Sequence, residues 1–408
     1  MASPREEVAI IGAGLSGLAL ALALHQQAMP CRVYENRGSP LNIGGAVMLS
    51  PNALRVLDAL GVYERVRTKG YNFEWLEYRD AAGNFEEAYD FGGKEKYGYM
   101  ALRIYRTDLI EEMLGMIRER GIPIEFGKKF THIVSETEES VTWAMADGSI
   151  QTSKILIGAD GIHSTVRKYL YPDLKTRFTG FVGVTAAVPT SQLELPEGYH
   201  LPVTITTPNA GAFVVAPQSP DGSVVFIGRQ RSMPETDRAG WDKVLADTDG
   251  LVSFLQSGME HFPQIARNAV SNIPRDTLNI WPFYIVPKLE KWASQPHTRV
   301  IILGDAAHAI PPSAGQGINQ AFEDVYMFAL LLAQVGTVRM EDALLFWQEY
   351  RQKRIDQIFD LNAQIDLRRM PKDQAPKVEK KEITLGWLYE PDFKKDVMDW
   401  VQAHVTHT

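Results

Sequence analysis

The stretch VAIIGAGLSGLALALAL, residues 8 to 24, followed by CRVYE at residues 31 to 35, decides the fold class of this chain. The apolar run VAII predicts a buried strand, the glycines predict a tight turn, and the run rich in leucine and alanine predicts a helix. CRVYE predicts a second strand that ends at Glu35. Strand, glycine turn, helix and strand in this order form a βαβ unit, which is typical of nucleotide-binding domains.

The glycines of GAGLSG, residues 12 to 17, have the spacing of the dinucleotide fingerprint. In that motif Gly12 allows the tight turn, Gly14 lets the backbone approach a pyrophosphate, and Gly17 lets the helix pack on the strand. The helix N-terminus then stabilises the anion. Glu35, about twenty residues further on, is the expected acceptor for ribose hydroxyls of an adenosine.

Two other interpretations of this stretch remain possible from the pattern alone. The glycines could serve only helix packing, and Val8 to Leu24 could be a membrane anchor. The strand, the helix and Glu35 together favour nucleotide binding over packing. The preceding residues Arg5, Glu6 and Glu7 do not form the cationic segment that a signal anchor needs.

Composition narrows the class of protein. A chain of 408 residues favours two domains or one large α/β unit with an inserted part. A net charge of -8 argues against broad binding of nucleic acid, which needs clustered cations. Cys31 is the only cysteine, so an intrachain disulfide is impossible. We expect a soluble, cytoplasmic protein with no membrane span and no metal site.

A second glycine-rich stretch, GDAAHAIPPSAGQGINQAFEDV at residues 304 to 325, holds an Asp, a His and a Ser within ten positions. Asp305, His308 and Ser313 could be a hydrolase triad. A triad needs a nucleophile elbow and a separately placed base, whereas Ser313 lies in a loop stiffened by Pro311 and Pro312. The pattern therefore favours a ligand-binding loop.

Three motifs together resemble one family. GAGLSG, GADGIHSTVR at residues 158 to 167 and GDAAHAIPPSAGQGINQAFEDV resemble, in the same order, the signature motifs of the class A flavoprotein monooxygenases. That family includes para-hydroxybenzoate hydroxylase, salicylate hydroxylase and the tetracycline-inactivating monooxygenases. GGAVMLSPNALRVLDALGV and YRTDL also resemble it, and the matches span most of the chain outside the central region.

The resemblance implies an α/β fold with a Rossmann-type FAD-binding domain, an inserted and mostly antiparallel β-sheet substrate domain, and a C-terminal helix. Short runs rich in Val, Thr and aromatics between residues 175 and 285 independently predict a mostly β domain. We expect the discontinuous FAD-binding domain to comprise residues 1–70, 98–175 and 286–340. The substrate domain would comprise 71–97 and 176–285, and a C-terminal helical region would comprise 341–408.

The resemblance also implies which residues contact a tightly but non-covalently bound FAD. Asp305 would hydrogen-bond a ribityl hydroxyl, and the loop with Pro311, Pro312 and Gly315 would lie near the flavin ring. The helix starting near Gly317 would stabilise negative charge on that ring. The full set of expected cofactor residues is Gly12, Gly14, Gly17, Glu35, Gly45, Ala46, Arg106, Asp160, Asp305, Pro312, Gly315, Gly317 and Ile318.

Several of these residues have a simpler interpretation. Arg106 matches the arginine of the family's R-x-x-L motif but could be a solvated arginine at a helix start. Asp160 could form only a strand-end turn. His163 and Arg167 resemble residues linked with flavin and reduced pyridine nucleotide binding, and His308 is expected to be structural.

The substrate side departs from the family pattern. Many relatives carry a Trp-Arg pair in the strand entering the second domain, where this chain has FTGFVGVTAAVP at residues 178 to 189. No histidine, carboxylate or tyrosine stands out as a substrate base. Because side chains alternate along strands, only about half of any list of strand residues faces a pocket. The expected pocket residues are Phe213, Gln218, Phe226, Arg229 and Phe283.

The expected activity is an FAD-dependent monooxygenation through a flavin hydroperoxide. NADPH or NADH would act as a transient co-substrate with O2, and an electron-rich aromatic, indole or polyketide-like small molecule of secondary metabolism would be hydroxylated or epoxidised. The alternatives are a non-oxygenating FAD-dependent reductase or dehydrogenase, and a flavin-binding protein without catalysis. The absence of a second Rossmann motif fits transient docking of the nicotinamide.

Overall fold

The computed structural model describes residues 8–40, 45–369 and 382–405. Its β-strands, in chain order, are β1 Val8–Ile11, β2 Cys31–Glu35, β3 Ala46–Leu49, β4 Tyr71–Phe73, β5 Trp75–Arg79, β6 Phe85–Asp90, β7 Ala101–Tyr105, β8 Ile124–Phe126, β9 Phe130–Glu136, β10 Val141–Met145, β11 Ile150–Ser153, β12 Ile155–Gly158, β13 Arg177–Pro189, β14 Val203–Thr207, β15 Gly211–Pro217, β16 Val224–Ser232, β17 Asn279–Ile285 and β18 Val300–Ile302.

The α-helices alternate with these strands near the N-terminus and follow one another near the C-terminus. They are α1 Leu15–Gln26, α2 Pro51–Ala59, α3 Tyr63–Val66, α4 Lys94–Tyr97, α5 Arg106–Glu119, α6 Arg167–Leu170, α7 Arg238–Ala246, α8 Thr248–Gln256, α9 Gln264–Ala269, α10 Asp305–His308, α11 Gly317–Leu332, α12 Met340–Arg369, α13 Gly386–Tyr389 and α14 Phe393–His404. Short 3₁₀ turns include Pro312–Ala314, just before α11.

A five-stranded parallel sheet in the order β18-β12-β1-β2-β8 forms the first layer of the structure. β1, α1 and β2 make the predicted βαβ unit. β12 and β18 return to the same sheet from distant parts of the sequence, which brings the three motifs together at the carboxyl ends of neighbouring strands. The strand order and the parallel pairing confirm the predicted Rossmann-type α/β fold. Ligands bind at the carboxyl edge of such a sheet.

The stretch Val8 to Leu24 is therefore a buried strand and helix of this layer. Within the described ranges, every helix is too short or too polar to cross a bilayer.

A seven-stranded sheet in the order β17-β13-β16-β15-β14-β5-β6 forms the second large layer. Its strands pair antiparallel except for β14 and β5, which run parallel. Most of it comes from one continuous stretch, and the hairpin β5-β6 joins it at one edge, so a mostly antiparallel sheet is confirmed. The structure also contains helices that the sequence analysis did not predict: α7, α8 and α9 pack on one face of this sheet around a separate hydrophobic core.

Two three-stranded sheets lie beside these layers. β11, β10 and β9 form one of them, and β3, β7 and β4 form the other. The antiparallel sheet β3-β7-β4 is important for the site, because it carries residues between the parallel sheet and the seven-stranded sheet.

The C-terminal helices pack against α11 through buried ions. Glu323 and Asp324 on α11 and Arg351 on α12 are fully buried. Arg351 donates to Asp324 at 2.8 Å and also pairs with Glu323, which accepts a 2.7 Å hydrogen bond from Arg354. The second oxygen of Asp324 accepts from the backbone N–H of Gly304 at 2.9 Å.

We expect Arg351→Met to lower the free energy of unfolding by about 3 to 5 kcal/mol, because it removes the only arginine partner of the buried Asp324 and one of the two arginine partners of Glu323. Arg339→Met is the matched control: Arg339 pairs with Glu341 at the exposed start of α12, so its loss should leave stability unchanged within error. Denaturant unfolding of both variants measures the difference. Equal stability of Arg351→Met and the wild type would contradict the role of the buried ions.

The same ions predict acid lability. Burial alone would raise the pKa of Asp324, but His308 and Arg351 hold it below its usual value. A carboxyl with a lowered folded-state pKa stabilises the fold above its unfolded pKa of about 4, and this contribution is lost as the pH falls through the lower folded value. The stability difference between the wild type and Asp324→Asn should therefore shrink steadily below about pH 4. A difference that is constant with pH would argue against this coupling.

Candidate active site

The glycine turn between β1 and α1 has the geometry of an anion site. Gly12 adopts φ +108°, and a Cβ there would lie 2.6 Å from the carbonyl oxygen of Ala159. A Cβ on Gly17 would lie 1.9 Å from the carbonyl oxygen of Gly12, so the helix packs directly on the turn. Gly14, by contrast, faces open space at the N-terminus of α1. A phosphate can therefore approach the backbone there and meet free N–H groups.

Glu35 is buried at the end of β2 and braces this turn. One carboxylate oxygen accepts from the backbone N–H of Ala13 at 2.8 Å, and the other accepts from the backbone N–H of Arg37 at 2.8 Å. The oxygen bonded to the Arg37 backbone also accepts from the Arg37 guanidinium at 3.3 Å. The oxygen bonded to Ala13 has a further lone pair, so it can also accept a hydroxyl hydrogen bond.

Asp305 and Arg106 lie close enough for the charge of each to influence the pKa of the other. Asp305 starts α10 just after β18, and Arg106 starts α5 just after β7. The backbone N–H of Arg106 donates to the carbonyl of Gly45 at 3.1 Å, which places the predicted pair Gly45 and Ala46 beside it. The guanidinium of Arg106 lies 5.9 Å from the ring centre of Trp281.

The Asp305 side chain is exposed to solvent although protein groups surround it on several sides. This crowding, which works by partial loss of hydration, raises the pKa of the carboxyl, while His308 and Arg106 oppose the rise. Water still reaches the carboxylate from its exposed side. Asp305 can therefore accept hydrogen bonds from a ligand that approaches its exposed carboxylate.

The residues of the second motif mainly hold their own loop. One Asp160 oxygen accepts from the backbone N–H groups of Thr165 and Val166 at 2.7 and 3.1 Å, and the other oxygen is buried without a partner among the described residues. Arg167 donates to the carbonyl of Ala306 at 2.8 Å, which ties this loop to the segment after β18. His163 is exposed, and its ring centre lies 6.5 Å from that of Tyr284.

The proline and glycine loop enters α11 as predicted. Gly315 adopts φ +64°, and a Cβ there would lie 3.7 Å from the Cβ of Met48. The backbone N–H of Ala314 donates to Asn362 at 2.7 Å. Pro312, Gly317 and Ile318 follow the same turn into the helix.

The geometry does not support a hydrolase triad. His308 pairs with Asp324 at 2.5 Å, whereas the Ser313 hydroxyl donates to Asp366. In the described part of the chain, the serine and the histidine thus use different carboxylates and share no hydrogen bond. His308 is buried and pairs with a carboxylate of α11, as a structural histidine would.

The predicted substrate residues divide between the two faces of the seven-stranded sheet. Phe226 and Phe283 lie over Gly228 and Gly183 on the face away from helices α7 to α9. Gln218 follows β15 and accepts from Arg103, whose guanidinium also lies 4.9 Å from the Phe226 ring centre.

Phe213 and Arg229 lie on the other face, which corrects that part of the prediction. Phe213 is fully buried, with its ring centre 5.9 Å from that of Phe262. Arg229 donates to the backbone carbonyls of Ser257 at 2.6 Å and Ala210 at 3.1 Å. The reason is strand alternation: both side chains point into the core beneath α8 and α9 and away from the cleft.

Sequence reasoning missed Arg103 and Trp281, which lie beside the predicted residues. Arg103 lies in ALRIY, three positions before Arg106. A cation among the apolar residues of a buried strand could have indicated a functional residue. Trp281 is 46% exposed although it is a large aromatic residue, which marks an open apolar surface next to Arg106.

A separate surface cleft of about 540 Å³ lies at the outer edge of the seven-stranded sheet, lined by residues that include Arg79, Tyr199 and Asn268. It contains none of the residues from the three motifs. We therefore place the site by the convergence of the motifs and not by the size of this cleft.

Comparisons with known proteins agree with this geometry. The model of the FAD binding domain family matches residues 5–253 and 285–362. The chain is 28% identical over 380 residues to hispidin-3-hydroxylase of Neonothopanus nambi, covering 86% of each chain. It is 29% identical over 371 residues to salicylate hydroxylase of Pseudomonas putida, covering 82% of this chain and 78% of that protein.

Solved structures show the same fold. The crystal structure of Klebsiella pneumoniae HpxO complexed with FAD and uric acid aligns with a TM-score of 0.75 at 23% identity, covering 97% of this chain and 96% of that chain. The family match extends over more than half of the sequence and includes all three motifs. The chain therefore belongs to the FAD binding domain family and is a class A FAD-dependent monooxygenase.

Proposed function

We propose that this monooxygenase inserts one atom of O2 into an electron-rich aromatic small molecule, by hydroxylation or epoxidation, at the expense of NADPH or NADH. The nicotinamide supplies two electrons, one oxygen atom enters the substrate, and the other leaves as water after taking up protons. The observation that carries the proposal is that the open Gly14 turn and the accessible Asp305 follow strands of the same parallel sheet, while the aromatic face around Phe226 approaches Arg103 on the nearby strand β7.

The chain fits FAD through backbone and side-chain contacts. Free N–H groups at Gly14 and the start of α1 would hold the pyrophosphate, and Glu35 would accept from the adenosine ribose. Asp305 would accept from a ribityl hydroxyl, and Arg106 would contribute positive charge beside it. When bound, FAD supplies the electron-transfer and oxygen-activating chemistry, while the protein orients the substrate and excludes water.

The loop before α11 would form the wall nearest the reacting atoms. Gly315 and Gly317 allow close approach of backbone N–H groups, and Pro311 and Pro312 limit the motion of the loop. The N-terminus of α11 stabilises negative charge in front of it. Gly45 and the neighbouring Ala46 would complete the opposite wall, since a Cβ at Gly45 would meet open space.

The relatives support oxygenation over the alternatives. Those named above are hydroxylases, and one of them acts on salicylate, an aromatic compound. No observation on this chain favours a reductase, a dehydrogenase or a flavin carrier. Hydroxylation of an aromatic ring is therefore the more specific form of the proposal, with secondary metabolism as its expected setting.

Oxidation of NADPH by the holoprotein should be slow alone and faster with a true substrate, because premature reduction would waste reducing equivalents. The measurement combines NADPH loss, hydrogen peroxide formation and product mass under ¹⁸O2. A product heavier by one ¹⁸O atom is the expected result. NADPH oxidation that yields only reduced or dehydrogenated product would instead indicate the reductase alternative.

Asp305→Ala should weaken FAD retention about ten-fold or more, since a charge-assisted hydrogen bond contributes about 1.5 to 3 kcal/mol. Ser313→Ala is the control, because its hydroxyl bonds Asp366 and a triad would need it as the nucleophile. Flavin occupancy after gel filtration and NADPH-dependent product formation should be measured on both variants. Loss of all turnover in Ser313→Ala with FAD still bound would refute the assignment of this loop.

A further inference from the structure

Arg103 is a buried cation without a charged partner. Its side chain is on β7, and the residue is only 8% exposed. One Nη atom donates to Oε1 of Gln218 at 3.2 Å, and Nε is buried with no hydrogen-bond partner among the described residues. No carboxylate of the described ranges lies within ion-pair distance of it. A guanidinium carries five N–H donors, so most of its hydrogen-bonding capacity is unused.

The other buried arginines of the described chain are not in this state. Arg351, Arg354 and Arg368 pair with carboxylates, while Arg167 and Arg229 donate to backbone carbonyls. A buried charge is costly unless it is paired, so buried cations normally have such partners. Arg103 is the exception, and a ligand that lies beside it could supply the missing partner.

Arg103 lies between the sheet β3-β7-β4 and the seven-stranded sheet. On one side it pairs across the sheet with Met48 of β3 and Tyr71 of β4, so the three side chains share a face. Met48 in turn borders Gly315 in the loop before α11. On the other side, the Arg103 guanidinium lies 4.9 Å from the ring centre of Phe226 on the seven-stranded sheet.

The surroundings favour an aromatic ligand with one anionic oxygen. Phe226 and Phe283 lie over glycines and present flat apolar surface, against which an aromatic ring can pack. Burial lowers the pKa of Arg103 to about 10, so it stays protonated at neutral pH. The free N–H groups of its guanidinium match the geometry of a carboxylate or a phenolate.

We propose that Arg103, oriented by Gln218, is the substrate-recognition residue of this enzyme and that it binds an anionic oxygen on an aromatic substrate. This inference deepens the function proposed above and rests on it. Arg103 determines specificity, because it selects anionic over neutral aromatic compounds.

The test measures binding to the FAD-loaded enzyme without NADPH, by the change in flavin absorbance on titration. Two matched pairs separate the possible sources of the anionic oxygen: benzoate with benzamide for a carboxylate, and 4-nitrophenol with 4-nitroanisole for a phenolate. In at least one pair the wild type should bind the acidic member about ten-fold or more tightly than the neutral one. Equal affinities in both pairs, or no binding of either acidic compound, would overturn the proposal without the need for any variant.

The variants are Arg103→Met, Arg103→Lys and the matched control Arg229→Met, which removes a buried arginine from the opposite face of the sheet. Arg103→Met should abolish the preference for the acidic compound, Arg103→Lys should retain part of it, and Arg229→Met should keep it in full. A retained flavin spectrum shows that a variant is folded. If Arg103→Met fails to fold, Arg103→Lys and the wild type decide the question.

The outcomes separate this inference from the function on which it rests. An undiminished preference in a folded Arg103→Met, or in Arg103→Lys where the methionine variant does not fold, refutes the role of Arg103 while FAD binding and oxygenation stand. Failure of the wild type to bind FAD, or to incorporate oxygen into any substrate, refutes the proposed function itself.

Discussion

The carboxylate of Asp324 is the interaction on which the geometry of the cleft depends. One oxygen binds Arg351 of α12, and the other binds the backbone N–H of Gly304 together with His308. This single buried side chain therefore joins α12 to the segment 304–308, which contains Asp305. Because a buried ion is stable only with its partners in place, the position of Asp305 is coupled to the packing of α11 and α12.

The sequence predicted the parts of this structure that local chemistry determines. Gly12 and Gly17 had to be glycines because neighbouring backbone occupies the place of a Cβ, and such positions leave a recognisable spacing. The βαβ unit and the mostly antiparallel second sheet follow from apolar runs bounded by turns. The family resemblance added the identity of the nucleotide, which the glycine spacing alone does not supply.

The sequence did not predict features that depend on which face a side chain occupies. Phe213 and Phe226 stand on neighbouring antiparallel strands of similar composition, and only the register shows that one faces the helices and the other the cleft. Helices α7 and α8 were missed although Asp237 and Asp247 cap them. Each of these helices has nine residues, and the Val-rich runs on either side led to the prediction of a mostly β region.

The short sheet β3-β7-β4 brings two arginines to different parts of the structure. Arg106, the first residue after β7, interacts with the charge of Asp305, whereas Arg103 within β7 faces the Phe226 ring of the seven-stranded sheet. Three residues of extended chain span about 10 Å, which is close to the dimension of a fused ring system. The strand thus sets the backbone spacing of the two arginines independently of the loops around them. Changes in loop sequence can therefore alter the surroundings of each arginine, while the backbone spacing between the two residues stays constant.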